Sequence, residues 1–97
     1  MSEAMRTSAG LDERRKRLLY HAWHRGMREM DYVLGVFANE AIEGMSDSEL
    51  DAFEDIMRVP DPDMYKWLSG TAETPPNWDI ALVRRIRAFH LEGTDGK

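Results

Sequence analysis

Between Leu18 and Phe89 the apolar residues recur at spacings of three and four, and the recurrence is broken at Gly26, Gly44, Pro60, Gly70 and Pro75-Pro76. This pattern constrains the chain more than any other feature. Such spacings put side chains on one face of an α-helix, whereas a half-buried strand needs strict alternation. No stretch alternates β-branched and polar residues between hairpin turns, so nothing competes with an all-α reading. The expectation is a compact five-helix bundle, a single domain without internal repeats. Ninety-seven residues suit one domain with a real but thin core.

The first helix is expected to open with Asp12 as N-cap and to turn Leu18, Leu19, Ala22 and Trp23 inward. It should stop at Arg25-Gly26, because glycine accepts the left-handed conformation that ends many helices. A second helix from about Met27 to Glu43 carries Met30, Leu34, Phe37, Ala38 and Ala41 on its inner stripe. Gly35 in its middle is worse than alanine by about 1 kcal/mol, which points to close approach of another helix. Ser46-Asp47-Ser48-Glu49 reads as a capping box. It opens a third helix that buries Leu50, Phe53, Ile56 and Met57. Asp61 as N-cap with Pro62 at the first helical position would open a short fourth helix, stopped by Gly70. A fifth helix from about Trp78 to Leu91 turns Leu82, Val83, Ile86 and Phe89 in and Arg84, Arg85 and Arg87 out. Residues 1–11 and 92–97 are expected to be flexible tails around a helical domain at 12–91.

Cysteine is absent, which removes disulfides, thiolate metal sites and cysteine nucleophiles together and suits a reducing compartment. No apolar run approaches the ~20 residues that span a bilayer. Met1 to Gly10 lacks the apolar segment of a secretory signal. The expected location is cytoplasmic (bacterial), with no direct membrane insertion. The net charge of −5 hides an asymmetry. From Glu13 to Arg28 there are six basic residues, and from Glu40 to Asp63 there are nine acids and one base. One end of the molecule is therefore expected to be positive and the other negative, a dipole that steers a partner.

Several constellations are candidates for chemistry. His21 and His24 are three apart and could share a face, but no third metal ligand stands at matching spacing. His24, Glu29 and Asp31 are an acid/base set in principle, yet no nucleophile accompanies them, and five short helices leave little room for a pocket. Arg14-Arg15-Lys16-Arg17 reads as exposed first turns of helix one. Together with helix five it would suit a small helical nucleic-acid-binding module, although the chain is acidic. The remaining concentration is Arg25-Gly26-Met27-Arg28-Glu29-Met30-Asp31: a glycine turn, charges of both signs and two thioethers between two helices. Exposed Met27 and Met30 would make an adaptable apolar surface there.

That stretch, preceded by Trp23, resembles the Arg-Gly-x-x-Glu signature of the SdhE family. Asp61-Pro62-Asp63-Met64-Tyr65-Lys66-Trp67-Leu68 resembles the family's second block, Asp-Pro-Asp-x-aromatic-x-Trp-Leu. The resemblance covers about residues 12 to 91. The family comprises bacterial SdhE proteins and mitochondrial succinate dehydrogenase assembly factors. It implies a chaperone-like factor, not an enzyme, that promotes covalent attachment of FAD to the flavoprotein subunit of succinate dehydrogenase, and of fumarate reductase in some bacteria. It implies partner-binding roles for Arg25, Gly26, Met27, Arg28, Glu29 and Asp31. In that picture Gly26 admits the partner's backbone, and Arg25 and Glu29 make oriented charged hydrogen bonds. Trp23, Asp61, Pro62, Asp63 and Trp67 are either a cap and core residues or a second strip of the same face. No dinucleotide fingerprint is present, so the FAD acted upon should stay with the partner flavoprotein. No catalytic, cofactor-binding or metal residue and no nucleic-acid partner are expected.

Overall fold

A computed structural model describes residues 5–92. Among them are five α-helices: α1 (Glu13–Trp23), α2 (Arg28–Ala41), α3 (Asp47–Ile56), α4 (Asp61–Ser69) and α5 (Ala81–Glu92). Short 3-10 turns at Ile42–Gly44 and Pro76–Trp78 join α2 to α3 and precede α5. No strand occurs among the described residues. The chain is all-α, as the periodicity requires.

α2 is the central element. α1, α4 and α5 all pack on it, α5 also covers α3 and α4, and α1 reaches α3. The inner stripe of α2 (Met30, Leu34, Phe37, Ala38 and Ala41) is buried together with Val33. Phe37 is the hub of the aromatic packing, edge-on to Phe53 of α3 at 6.2 Å and to Phe89 of α5 at 5.6 Å, geometries favoured by ring quadrupoles. Leu82, Val83, Ile86 and Phe89 of α5 are buried as expected.

The helix ends explain the boundaries. Asp12 caps α1 by accepting the Arg15 N–H at 3.1 Å. Ser46 and Glu49 form the reciprocal capping box at α3, and Gly70, at φ 81°, ends α4 in the left-handed conformation. Gly35 shows why an alanine is absent from the middle of α2. A methyl group there would stand within 3 Å of three ring carbons of Trp23. The close approach is made by an α1 side chain rather than by a helix backbone. The indole also donates its N–H to the Asn39 side chain at 3.0 Å, so the ring is fixed at its edge as well as its face.

The structure corrects several expectations. Asp61 is not an N-cap: Pro60 precedes α4, Asp61 is its first residue, and no side chain caps it. The Asp61 carboxylate is taken instead by Arg25. The expected tail over residues 1–11 is attached from Arg6 on. Arg6 donates its backbone N–H to Asn39 at 2.9 Å and its side chain pairs with Glu43, while Leu11 is buried. The remainder of both tails, residues 1–4 and 93–97, lies outside the described residues. α5 begins at Ala81, since Pro76–Trp78 form their own turn, which stacks Trp78 on Trp67. Of the three arginines expected to face out, only Arg84 is fully exposed; Arg85 lies over the Phe37 ring at 5.4 Å. Met57 is half-buried rather than buried.

Gly35→Ala is expected to destabilise the fold by about 1–3 kcal/mol through overpacking, even though alanine is the better helix former. Urea denaturation checks this. An unchanged or raised midpoint would mean the Trp23 seat contributes nothing.

Candidate functional site

α1 ends at Trp23, and α2 begins at Arg28 without a side-chain cap. The four residues between make a turn whose geometry depends on Gly26, at φ 92°. L-residues avoid that region. Nothing lies within 4 Å of where a Cβ on Gly26 would be, so the glycine surface is open. Two contacts hold the turn from inside. The Asp31 carboxylate, on the first turn and a half of α2, accepts the backbone N–H of Arg25. The Arg25 guanidinium reaches across to the corner between α3 and α4. It donates to Asp61 at 2.9 Å, to the Met57 carbonyl at 2.7 Å and to the Val59 carbonyl at 3.2 Å.

Arg25 and Asp61 are only 12% and 13% exposed at their side chains. Charge-assisted hydrogen bonds in such an enclosure are strong. Removing one member of a fully buried pair costs about 3 kcal/mol or more, and less where some water reaches it, as here. The pair joins the two sequence blocks. The Arg25-Gly26 turn and the Asp61-Pro62-Asp63 start of α4 stand at one corner of the molecule.

The candidate residues therefore sort by direction. Gly26, Arg28, Glu29, Pro62 and Asp63 are exposed, and none of the charged ones has a partner among the described residues. Glu29 sits in the first turn of α2, where its charge suits the helix dipole. Arg25, Asp31 and Asp61 are committed inward, and Trp23 is seated on α2. Met27 and Trp67 are half-buried against the core. Met30 is fully buried on the inner stripe of α2, where the periodicity put it, so the Met27–Met30 surface that exposure would have made does not form. Tyr32, one turn on from Arg28 and Glu29, is 49% exposed and was not singled out by the motifs. Its only sequence signal was a large aromatic off the inner stripe of α2.

The other constellations dissolve on folding. His24 stacks on Tyr20 at 4.0 Å, and its Nδ1 lies 2.7 Å from the Tyr20 carbonyl. With Asp31 turned to the Arg25 backbone, the acid/base set does not converge. No group of three or more His, Asp or Glu side chains among the described residues is arranged to hold a metal ion. The expectation of little room for a pocket needs correction, since surface depressions of about 430 and 370 Å³ exist. The first is lined by residues including Gly70, Thr74 and Arg87, and the second by Ala52, Ile80 and Arg85 among others. Neither includes the Gly26 turn.

The basic run on α1 is not an exposed stripe. Arg14 binds Glu54 at 2.8 Å and also Asp51. Arg15 donates to the Ile42 carbonyl at 3.0 Å and to Asp12, and Lys16 lies 3.8 Å from Glu13. Arg17 alone of the four is exposed and makes no ion pair or hydrogen bond among the described residues, although its charge is felt by Glu54. The basic first helix and the acidic third helix pack together, so the charges that are separated along the chain meet in space. The expected positive and negative ends are correspondingly weakened.

A small all-α scaffold that presents an open glycine turn flanked by free charges suits the class of modules that engage another macromolecule. Comparison with known proteins gives that class a family. Residues 16–90 match the family described as flavinator of succinate dehydrogenase, and the chain belongs to it. It is 36% identical over 76 residues to the FAD assembly factor SdhE of Acetobacter pasteurianus, covering 78% of this chain and 70% of that protein. It is 32% identical over 77 residues to a mitochondrial succinate dehydrogenase assembly factor 2 of Dictyostelium discoideum, covering 79% of this chain. The assembly factor 2 of Debaryomyces hansenii is 35% identical over 92 residues. The chain spans 55% of the Dictyostelium protein's length and 65% of the Debaryomyces protein's.

The Arg14 contact has a consequence for acid stability. The hydrogen bond from Arg14 holds the Glu54 carboxyl below its usual value of 4.5. The unfolded chain then takes up that proton first. Stability from the pair is complete above the ordinary glutamate range and is lost as pH falls through it. In Arg14→Ala the fall of urea midpoint between about pH 5 and 3 is expected to be shallower than in the parent. Parallel curves would contradict a folded-state pair.

Proposed function

We propose that this chain is an assembly factor that promotes covalent attachment of FAD to the flavoprotein subunit of succinate dehydrogenase, by docking on the immature flavoprotein through the Gly26–Glu29 corner. The observation that carries the reading is family membership over residues 16–90, with relatives named for FAD and succinate dehydrogenase assembly. The corner supports it: Gly26 is open, and Arg28 and Glu29 have free charges of opposite sign at the same turn. Pro62 and Asp63 flank it as a second strip. The fumarate reductase flavoprotein is a further candidate client.

In this reading the factor supplies position, not a reacting group. The groups to be joined, a histidine nitrogen and the flavin 8α carbon, would both be held by the partner. Bringing two such groups into attack geometry lowers a barrier by several kcal/mol without a catalyst's own acid or base. His24 and Asp31 are engaged within the chain, which leaves Glu29 alone of the acid/base set at the open turn and fits a non-enzymatic role. FAD remains with the flavoprotein, and the factor carries none of its own. The absence of cysteine fits a reducing, cytoplasmic setting.

Co-expression with a succinate dehydrogenase flavoprotein tests the reading. Flavin fluorescence that survives denaturing electrophoresis is expected to rise several-fold when this chain is present; an unchanged signal would refute it. Two substitutions at one position separate strain from docking. Gly26→Ala and Gly26→Arg both place a Cβ at φ 92° and are each expected to lose roughly 1–2 kcal/mol of stability. Only Gly26→Arg, whose side chain occupies the open surface, is expected to abolish binding of the flavoprotein. Equal binding by both variants would remove Gly26 from the docking surface.

A further inference from the structure

We infer that Arg25 is a positioning residue of the docking corner, acting through Asp61, and makes no contact with the partner itself. The inference rests on the docking reading above and assigns a different role to the first residue of the Arg-Gly-x-x-Glu block.

A guanidinium has five N–H donors in a fixed fork. Those of Arg25 are spent inside the chain. Nε donates to Asp61 Oδ1 at 2.9 Å, and Nη2 approaches the same oxygen at 2.7 Å while donating to the Val59 carbonyl at 3.2 Å. Nη1 donates to the Met57 carbonyl at 2.7 Å and touches the Met57 sulfur at 3.3 Å. The head group has no free edge to offer. Its exposure of 12%, against 13% for Asp61, leaves little of either side chain at the surface. The backbone end of the same residue is held separately, by Asp31. Arg25 is thereby fixed at two points, one on α2 and one at the α3–α4 corner.

The turn after Arg25 needs that fixing. Gly26 has the widest conformational range of any residue, and α2 starts without a side-chain cap. Arg28 and Glu29 have no partners among the described residues to orient them. Their backbone lies in the first turn of α2, and the turn that leads into it is held by the residue before Gly26. Ordering the corner in advance removes an entropy loss from the binding step. It also explains why two blocks so far apart in sequence belong together: Asp61 completes the device that Arg25 begins. Lysine could not replace the arginine, since a point charge cannot serve a carboxylate and two carbonyls in fixed directions at once.

The test uses the full chain, the parent and the variants Arg25→Lys, Asp61→Asn, the double variant and Glu29→Ala, each compared well below its unfolding midpoint. Affinity for a succinate dehydrogenase flavoprotein that lacks covalent flavin is measured alongside hydrogen exchange at the Arg25 amide of the turn, which is bonded to Asp31. Arg25→Lys and Asp61→Asn are each expected to weaken binding about tenfold and to speed exchange at the turn while helix content holds. The double variant is expected to bind no more weakly than either single one, as for residues acting through one contact. Loss of affinity in Arg25→Lys with parental binding by Asp61→Asn would overturn the inference, because Arg25 would then touch the partner directly. Parental affinity in both, with lowered stability only, would overturn it too. If Glu29→Ala also binds like the parent, the docking reading itself fails. Exchange at the turn then decides the remaining link: acceleration in Asp61→Asn upholds it, and no change overturns it.

Discussion

The Trp23 indole resting on Gly35 is the contact on which the rest of this structure depends. It brings α1 against α2 at a distance no larger residue would permit, with the ring pinned at its edge by Asn39. α2 is the element that α1, α4 and α5 pack upon and whose Phe37 meets Phe53 of α3, so the placing of α1 on it sets the frame. The chain must then reverse within four residues after Trp23. That reversal is the Gly26 turn, and its position above the α3–α4 corner is a result of where Trp23 has been seated.

Charge does the second part of the work. The chain separates its signs along the sequence and reunites them on folding. Arg14 meets Glu54 and Asp51, Arg6 meets Glu43, Arg85 meets Glu49 and Arg25 meets Asp61. Surface pairs of this kind are each worth little; the enclosed Arg25–Asp61 pair is worth more. The collective effect is selective. It draws Arg14, Arg15 and Arg25 into the structure and leaves Arg28 and Glu29 free at the corner.

The fold was largely legible in the sequence because its determinants are local. Helical periodicity, the Ser46–Glu49 capping box, the Asp12 cap and the left-handed Gly70 each act within a few residues, and each stands where the pattern put it. Gly35 even announced a close approach. What could not be read were the long-range contests. Asp61 has every local qualification for an N-cap, but a guanidinium 36 positions earlier claims its carboxylate. Arg14 and Arg15 look like part of an exposed stripe until α3 supplies acids to the first and the Ile42 and Met45 carbonyls take the second. Arg25 looks like a hand extended to a partner until Met57 and Val59 supply the carbonyls. The direction of a long side chain depends on what folds against it, and single-sequence pattern does not contain that.

A factor that contributes geometry to a reaction on another protein needs a rigid corner, not a chamber, and rigidity is what the Trp23 seat and the Arg25 clamp provide. The claim that this corner is the docking face is tested most directly by mapping hydrogen exchange of the whole chain, alone and with the succinate dehydrogenase flavoprotein. The first amides of a helix have no intrahelical acceptor, so those of Arg28 to Met30 exchange readily in the free chain. The flavoprotein is expected to protect Gly26 to Tyr32 and the start of α4, and to leave Arg14 to Arg17 unchanged. Protection along Arg14 to Arg17 with none at Gly26 to Glu29 would contradict the claim.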